Sequence, residues 1–134
     1  MNHNSDEVEG FEEVLKNLSD FGNGYKRVEG RAVKAGATIV LERMKQEVPV
    51  SDINGESYVH IRDDLGMSGI RRVREGTAIV LVGPGKKTAW RAKFLEFGTI
   101  KMPPNAFISR ASSLSRLLVK VAIMSELKKG LKLR

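Results

Sequence analysis

Apolar positions along the 134-residue chain switch period several times, and each switch marks an element. In "VEGFEEVLKNL", Phe11, Val14, Leu15 and Leu18 recur at i, i+3, i+4 and i+7 with acids on the other side. That spacing predicts a short amphipathic helix from Val8 to about Leu18. The two glycines of "DFGNG" predict a break after it. Residues 25–48 return to helical spacing: Val33, Gly36/Ala37, Val40, Met44 and Val48 form a stripe, widened by Ala32 and Ile39. This second helix would run about 35 Å. Ala35, Gly36 and Ala37 give it a thin waist where another element could approach closely, and Pro49 ends it.

"PVSDINGES" reads as a loop, and "YVHIRDDLG" as a short helical turn stopped by Gly66. "TAIVLVG" has the β-branched content and length of a strand and is closed by Gly-Pro-Gly. The "REG" before it suits a hairpin turn with Gly76 at positive φ, which makes "MSGIRRV" the partner strand and puts Arg71, Arg72 and Arg74 on or beside the hairpin. "KKTAWRAKFLEFGT" is ambiguous: Ala89, Ala92/Lys93 and Glu96 fit a helix, a helical segment turning into a short strand is the alternative, and Trp90, Phe94, Leu95 and Phe97 mark where it packs. Beyond Pro103 and Pro104 the pattern is helical again. Asn105 suits the N-cap, and Phe107, Ala111, Leu114, Leu118 and Val121 form the expected buried stripe, widened by Leu117 and Ala122. The order predicts an α+β fold: a small antiparallel β-sheet with a long central helix and a C-terminal helix packed on it, plus a short N-terminal helix. One domain spanning 1–134 is expected, with residues 1–7 and about 130–134 disordered.

Composition narrows the chemistry. Without cysteine there is no disulfide, thiolate metal site or cysteine nucleophile. No apolar run approaches the roughly 20 residues of a membrane span, and the polar N-terminus lacks the pattern of a signal peptide, so a soluble protein made in a cytoplasm is expected. Charge is lopsided. Residues 1–67 carry 8 Lys/Arg and 13 Asp/Glu, a net of −5; residues 68–134 carry 15 and 3, a net of +12; together they give the +7 of the whole chain. Such polarity serves nucleic acid, an acidic partner or self-association of unlike faces.

Catalytic patterns fail on inspection. "IVLVGPGKKT" looks like a phosphate loop, but with Gly85-Lys86 as its Gly-Lys pair the first glycine falls at Val80, and Lys87 stands where Ser or Thr is needed. His60, Asp63 and Asp64 share a helical face, yet the only other histidine is His3, too few for a metal site; a surface cluster with Arg62 is the expectation. The second half holds only Glu75, Glu96 and Glu126 as acids, so no carboxylate pair stands out. No catalytic residue, cofactor or metal ligand is assigned, and an enzyme is not expected. Glu96, set between Leu95 and Phe97, is expected to meet backbone N–H groups or an arginine, because a buried carboxylate must be paired.

The segment "FLEFGT…MPPNAFISRA" resembles a pattern of E-F-G-T, a short proline-containing loop, and P-x-x-F-hydrophobic-x-x-A opening a C-terminal helix. It is similar to the tail-completion, or tail-to-head joining, family of long non-contractile-tailed bacteriophages. The order of "VPVSDINGES", "HIRDDL" and "TAIVLVGP" agrees with it, so the resemblance covers about residues 8–130. The resemblance implies a small structural α+β protein that assembles as a ring, of six copies, at the head-proximal end of the tail. There it would meet the tail tube protein and dock on the head connector. Glu96, Phe97, Gly98, Pro103, Pro104 and Phe107 are then the stiff joint: Gly98 lets the chain turn, the prolines remove backbone freedom, and Phe107 anchors the helix. Arg71, Arg72, Arg74, Lys86, Lys87, Thr99 and Lys101 are the expected contacts, to a neighbouring ring or non-specifically to DNA in the channel. A basic nucleic-acid-binding module is the second reading, although no aromatic interleaves with the basic cluster. A small ribonuclease toxin is the third, and it lacks an identifiable charged site.

Overall fold

The computed structural model describes residues 3–73 and 76–131. One helix dominates: α1 spans His3–Glu47, 45 residues and about 67 Å. The expected break at "DFGNG" is absent, and the short N-terminal helix is the first part of α1. Glycine in a helix interior costs only about 1 kcal/mol relative to alanine, which the turns on either side can carry. The helix begins at His3, inside the stretch expected to lack order. Its stripe of Ala32, Ala37, Met44 and Val48 is buried, and Val40 packs at the core's edge.

After Pro49 a loop leads to the single turn α2 (Ile61–Asp64) and then into a long, irregular hairpin. β1 (Leu65–Met67) pairs antiparallel with β4 (Val82–Pro84), and β2 (Arg71–Arg72) pairs with β3 (Ala78–Ile79). Between the two pieces residues 68–70 lie opposite residues 80–81, three against two, so the hairpin carries a bulge. "TAIVLVG" is therefore two short strand segments rather than one. Ser68 bridges the gap: its N–H donates to the Leu81 carbonyl (2.8 Å) and its Oγ accepts from the Leu81 N–H (2.9 Å). Gly76 turns the hairpin at φ 81°.

The hairpin lies along α1, with Ile70 over Gly30 and Met67 beside Thr38. α3 (Ala89–Phe97) is helical throughout, which decides between the two readings of this segment. α4 (Phe107–Gly130) packs antiparallel against α1. At the waist a Cβ on Gly36 would come within 3.1 Å of Val119, so the helices approach as closely as the small residues there allow. The core is Met44, Val48, Leu65, Ala92, Phe107 and Ala111, where α1, the hairpin, α3 and α4 meet. The architecture is the α+β class that the residue pattern predicts.

α4 departs from expectation in which side it buries. Phe107, Ala111 and Ser115 face inward, whereas Leu114, Leu117, Leu118 and Val121 are half or more exposed. The side that packs on α1 also carries Val119 and Ile123, which the small Gly36 admits.

Candidate functional site: the α3–α4 joint and its exposed surroundings

The joint is built from the end of α3 outward. Gly98 closes α3, with its N–H donating to the Phe94 carbonyl (2.7 Å) at φ 76°, ψ 177°. Only glycine readily adopts that region. Space excludes a side chain as well: a Cβ would lie 2.7 Å from the Pro104 nitrogen and 2.8 Å from the Met102 carbonyl oxygen. Thr99 and Met102 then exchange backbone hydrogen bonds, making a tight turn that exposes Ile100 and Lys101. The Lys101 N–H donates to the Thr99 hydroxyl (3.3 Å). After the two prolines the Asn105 N–H returns to the Leu95 carbonyl (2.7 Å), and Phe107 enters the core with no exposed surface.

Glu96 holds this turn to α4. Its carboxylate accepts from the Ile108 N–H (2.8 Å), the Ser109 N–H (3.1 Å) and the Ser109 hydroxyl (2.6 Å). It thereby satisfies donors at the N-terminus of α4, where the helix dipole also favours a negative charge. Burial of Glu96 by itself raises its pKa. The Ser109 hydroxyl, the two amides and nearby Arg110 outweigh that, and the carboxyl sits below the ordinary 4.5. Asn105, expected as the cap, does other work: its side-chain oxygen accepts from Arg110 (3.0 Å). Arg110 also reaches Glu47 on α1 (2.7 Å) and so pins the start of α4 to the end of α1.

A second carboxylate does the same for α3, and nothing in the sequence pattern marks it. Asp64 accepts from the backbone N–H (3.0 Å) and hydroxyl (2.8 Å) of Thr88, which is fully buried. The glycine turn of "GPGKKT" thus already holds an anion from within the chain. Gly85 is needed there because a Cβ would meet Asp64 at 2.7 Å. Of the expected His60–Asp63–Asp64 surface cluster, Asp63 pairs with Arg62 (3.8 Å) and His60 stacks edge-on against Tyr58. Arg91 was also missed: it lies over the Tyr58 ring and donates to Tyr58 Oη and the Val59 carbonyl, tying the 49–60 loop to α3. Its only sequence signal is a basic residue among aromatics, which is too general to read. Among the described residues, no group of three or more His, Asp or Glu is placed to hold a metal.

The basic residues divide into separate groups. Arg72 is spent on the fold, since its guanidinium bonds Glu29 (3.0 Å) and the carbonyls of Gly76 and Lys26. Glu29 also takes the Ala78 N–H (2.9 Å), so this pair clips the hairpin to α1. Arg71, Lys86, Lys87, Thr99 and Lys101 are exposed, and Arg74 lies outside the described residues. The hairpin clip at Glu29 and the joint at Glu47 are 18 residues apart on one helix, about 27 Å. Among the described residues, Lys86 and Lys87 precede α3, whereas Thr99 and Lys101 follow it.

Apolar surface is more concentrated. Trp90, Phe94 and Phe97, expected to pack inward, are 62%, 49% and 73% exposed and recur at i, i+4 and i+7 along one side of α3. Trp90 and Phe94 meet edge to face, 6.5 Å between centroids. The inward side of α3 is instead Ala92, Leu95 and Glu96. With the exposed leucines of α4, these aromatics leave two helix faces uncovered.

A family model described as "Bacteriophage HK97-gp10, putative tail-component" matches residues 11–98, from α1 to the glycine that closes α3. The chain belongs to this family. Membership in a family of bacteriophage tail components supports a structural role in the tail. No curated protein and no solved structure gives a significant match. No helix among the described residues is long and apolar enough to cross a membrane.

Proposed function

We propose that this tail component is a tail-completion, or tail-to-head joining, protein. Copies form a ring, of six in the virion, at the head-proximal end of the tail. The ring meets the tail tube protein on one side and docks on the head connector on the other. One observation carries the assembly role: a tail-family chain whose α3 and α4 leave rows of large apolar side chains in water. Contiguous apolar patches of that kind mark surfaces that a partner covers. The resemblance of the joint to tail-completion sequences supports the position within the tail. Exposed Arg71, Lys86, Lys87, Thr99 and Lys101 serve contacts to the adjacent ring or weak, sequence-independent contacts to DNA in the channel.

Deleting the gene in its phage and imaging the lysate by electron microscopy tests the role. The expected result is full heads beside separate, unjoined tails, with joining restored by added purified protein. Intact infectious particles would refute it.

A further inference from the structure

α1 is longer than the helix that covers it. Its register against α4 is antiparallel: Glu47 meets Arg110, Gly36 meets Val119 and Ile123, and Val28 meets Gly130, the last residue of α4. Val28 is also the first buried residue of α1 among those described. Residues 3–24 therefore continue as a helical arm past the end of α4, for about 33 Å. Phe21 and Tyr25 are exposed at its base. They extend the apolar spacing of Phe11, Val14, Leu15 and Leu18 in the sequence. Six of the arm's residues are acidic against one lysine, and Glu12, Glu13 and Asp20 are exposed.

The outer face of α4 is the chemical complement. Leu114, Leu117, Leu118, Val121 and Met124 are each more than half exposed and recur at helical spacing over about 15 Å. Exposed Arg116 and Lys120 flank this row, and Arg110 and Lys128 stand at its ends. Against these bases and Lys129, α4 carries a single acid, Glu126.

We infer that the arm of one copy lies along the outer face of α4 of the next copy. Apolar stripe meets apolar stripe, the net acidic arm lies against the net basic α4, and the lengths agree, about 33 Å of arm against about 36 Å of α4. α1 carries the arm past the end of its own α4, so the contact joins two chains. Each copy gives one surface and receives on a different one, the heterologous arrangement that makes a ring when the rotation between copies closes. The inference rests on the ring reading and names the contact that closes the ring.

The chain has no cysteine, so two single-cysteine variants report the contact without background: Asn17→Cys on the arm and Ser113→Cys beside the α4 row. Mixed and treated with a short bis-maleimide, they are expected to give a cross-linked pair of one of each, well above either variant alone. The charge-reversed Arg116→Glu, Lys120→Glu protein is expected to need roughly tenfold more protein to assemble, with Glu12→Lys, Glu13→Lys in the same chain restoring assembly. A double variant, Asn17→Cys with Ser113→Cys, that closes within a monomer would overturn the inference. Rings of the unaltered protein in negative stain, without the mixed cross-link, would overturn this contact and leave the ring reading standing. Neither rings nor cross-link would remove both.

Discussion

The two ends of α3 and α4 that meet at the joint and the outer sides of the same helices follow opposite rules. At the joint every strong polar group has a partner: Glu96 takes two amides and a hydroxyl, Arg110 takes Glu47 and Asn105, and Phe107 is wholly buried. On the outer sides, Trp90, Phe97, Leu117 and Leu118 lie largely in water. One region is finished within the chain, and on the proposed reading the other is completed by a partner. Substitutions at the joint should therefore change folding stability, and substitutions on the outer faces should change assembly with the fold intact.

The sharpest way to break this contrast is at Phe107. Phe107→Ala should cost about 3–5 kcal/mol, since it empties a fully buried site where α1, α3 and α4 converge. Chemical denaturation would show it as a lower midpoint. Gly98→Ala should follow, at about 3 kcal/mol, because the new Cβ meets Pro104 and Met102 and the backbone sits where alanine is strained.

Glu96→Gln should cost about 1–3 kcal/mol, the loss of a charged acceptor facing three donors. It should also change the pH profile. The folded carboxyl lies below its ordinary value of 4.5, so its contribution is complete above that value and is lost as pH falls through the folded pKa. Stability of the unaltered protein should thus decline more steeply on acidification than that of Glu96→Gln. Equal acid slopes in the two proteins would remove Glu96 from the account. The smallest stability effect belongs to Leu117→Glu, within about 0.5 kcal/mol, because the side chain is already 73% exposed. Its effect should appear in assembly.

The sequence makes the α1 stripe legible because Ala32, Ala37, Met44 and Val48 are spaced for one face and a single neighbouring layer buries them. It also marks the joint, where glycine and prolines leave the backbone few choices. Three features escape it for identifiable reasons. Gly22 and Gly24 look like a break because glycine weakens a helix, but they do not stop one already propagating from both sides. On α4 the larger residues outweigh the smaller ones in any reading of amphipathicity, yet Ala111 and Ser115 are the buried ones, while Val119 and Ile123 meet α1 at Gly36. Asp64 and Thr88 are 24 residues apart, and a helix cap supplied from that distance leaves no local pattern. The misread faces of α3 and α4 are also the ones the proposed function gives to partners, and local rules fail most often at such functional surfaces.

The most direct test of the account is one variant measured two ways: Leu117→Glu with Val121→Glu, introduced into the phage and also purified. The account predicts an unfolding midpoint close to that of the unaltered protein, together with lysates showing full heads beside unjoined tails. Joined, infectious particles at the unaltered titre, from a protein shown to carry both substitutions, would contradict it.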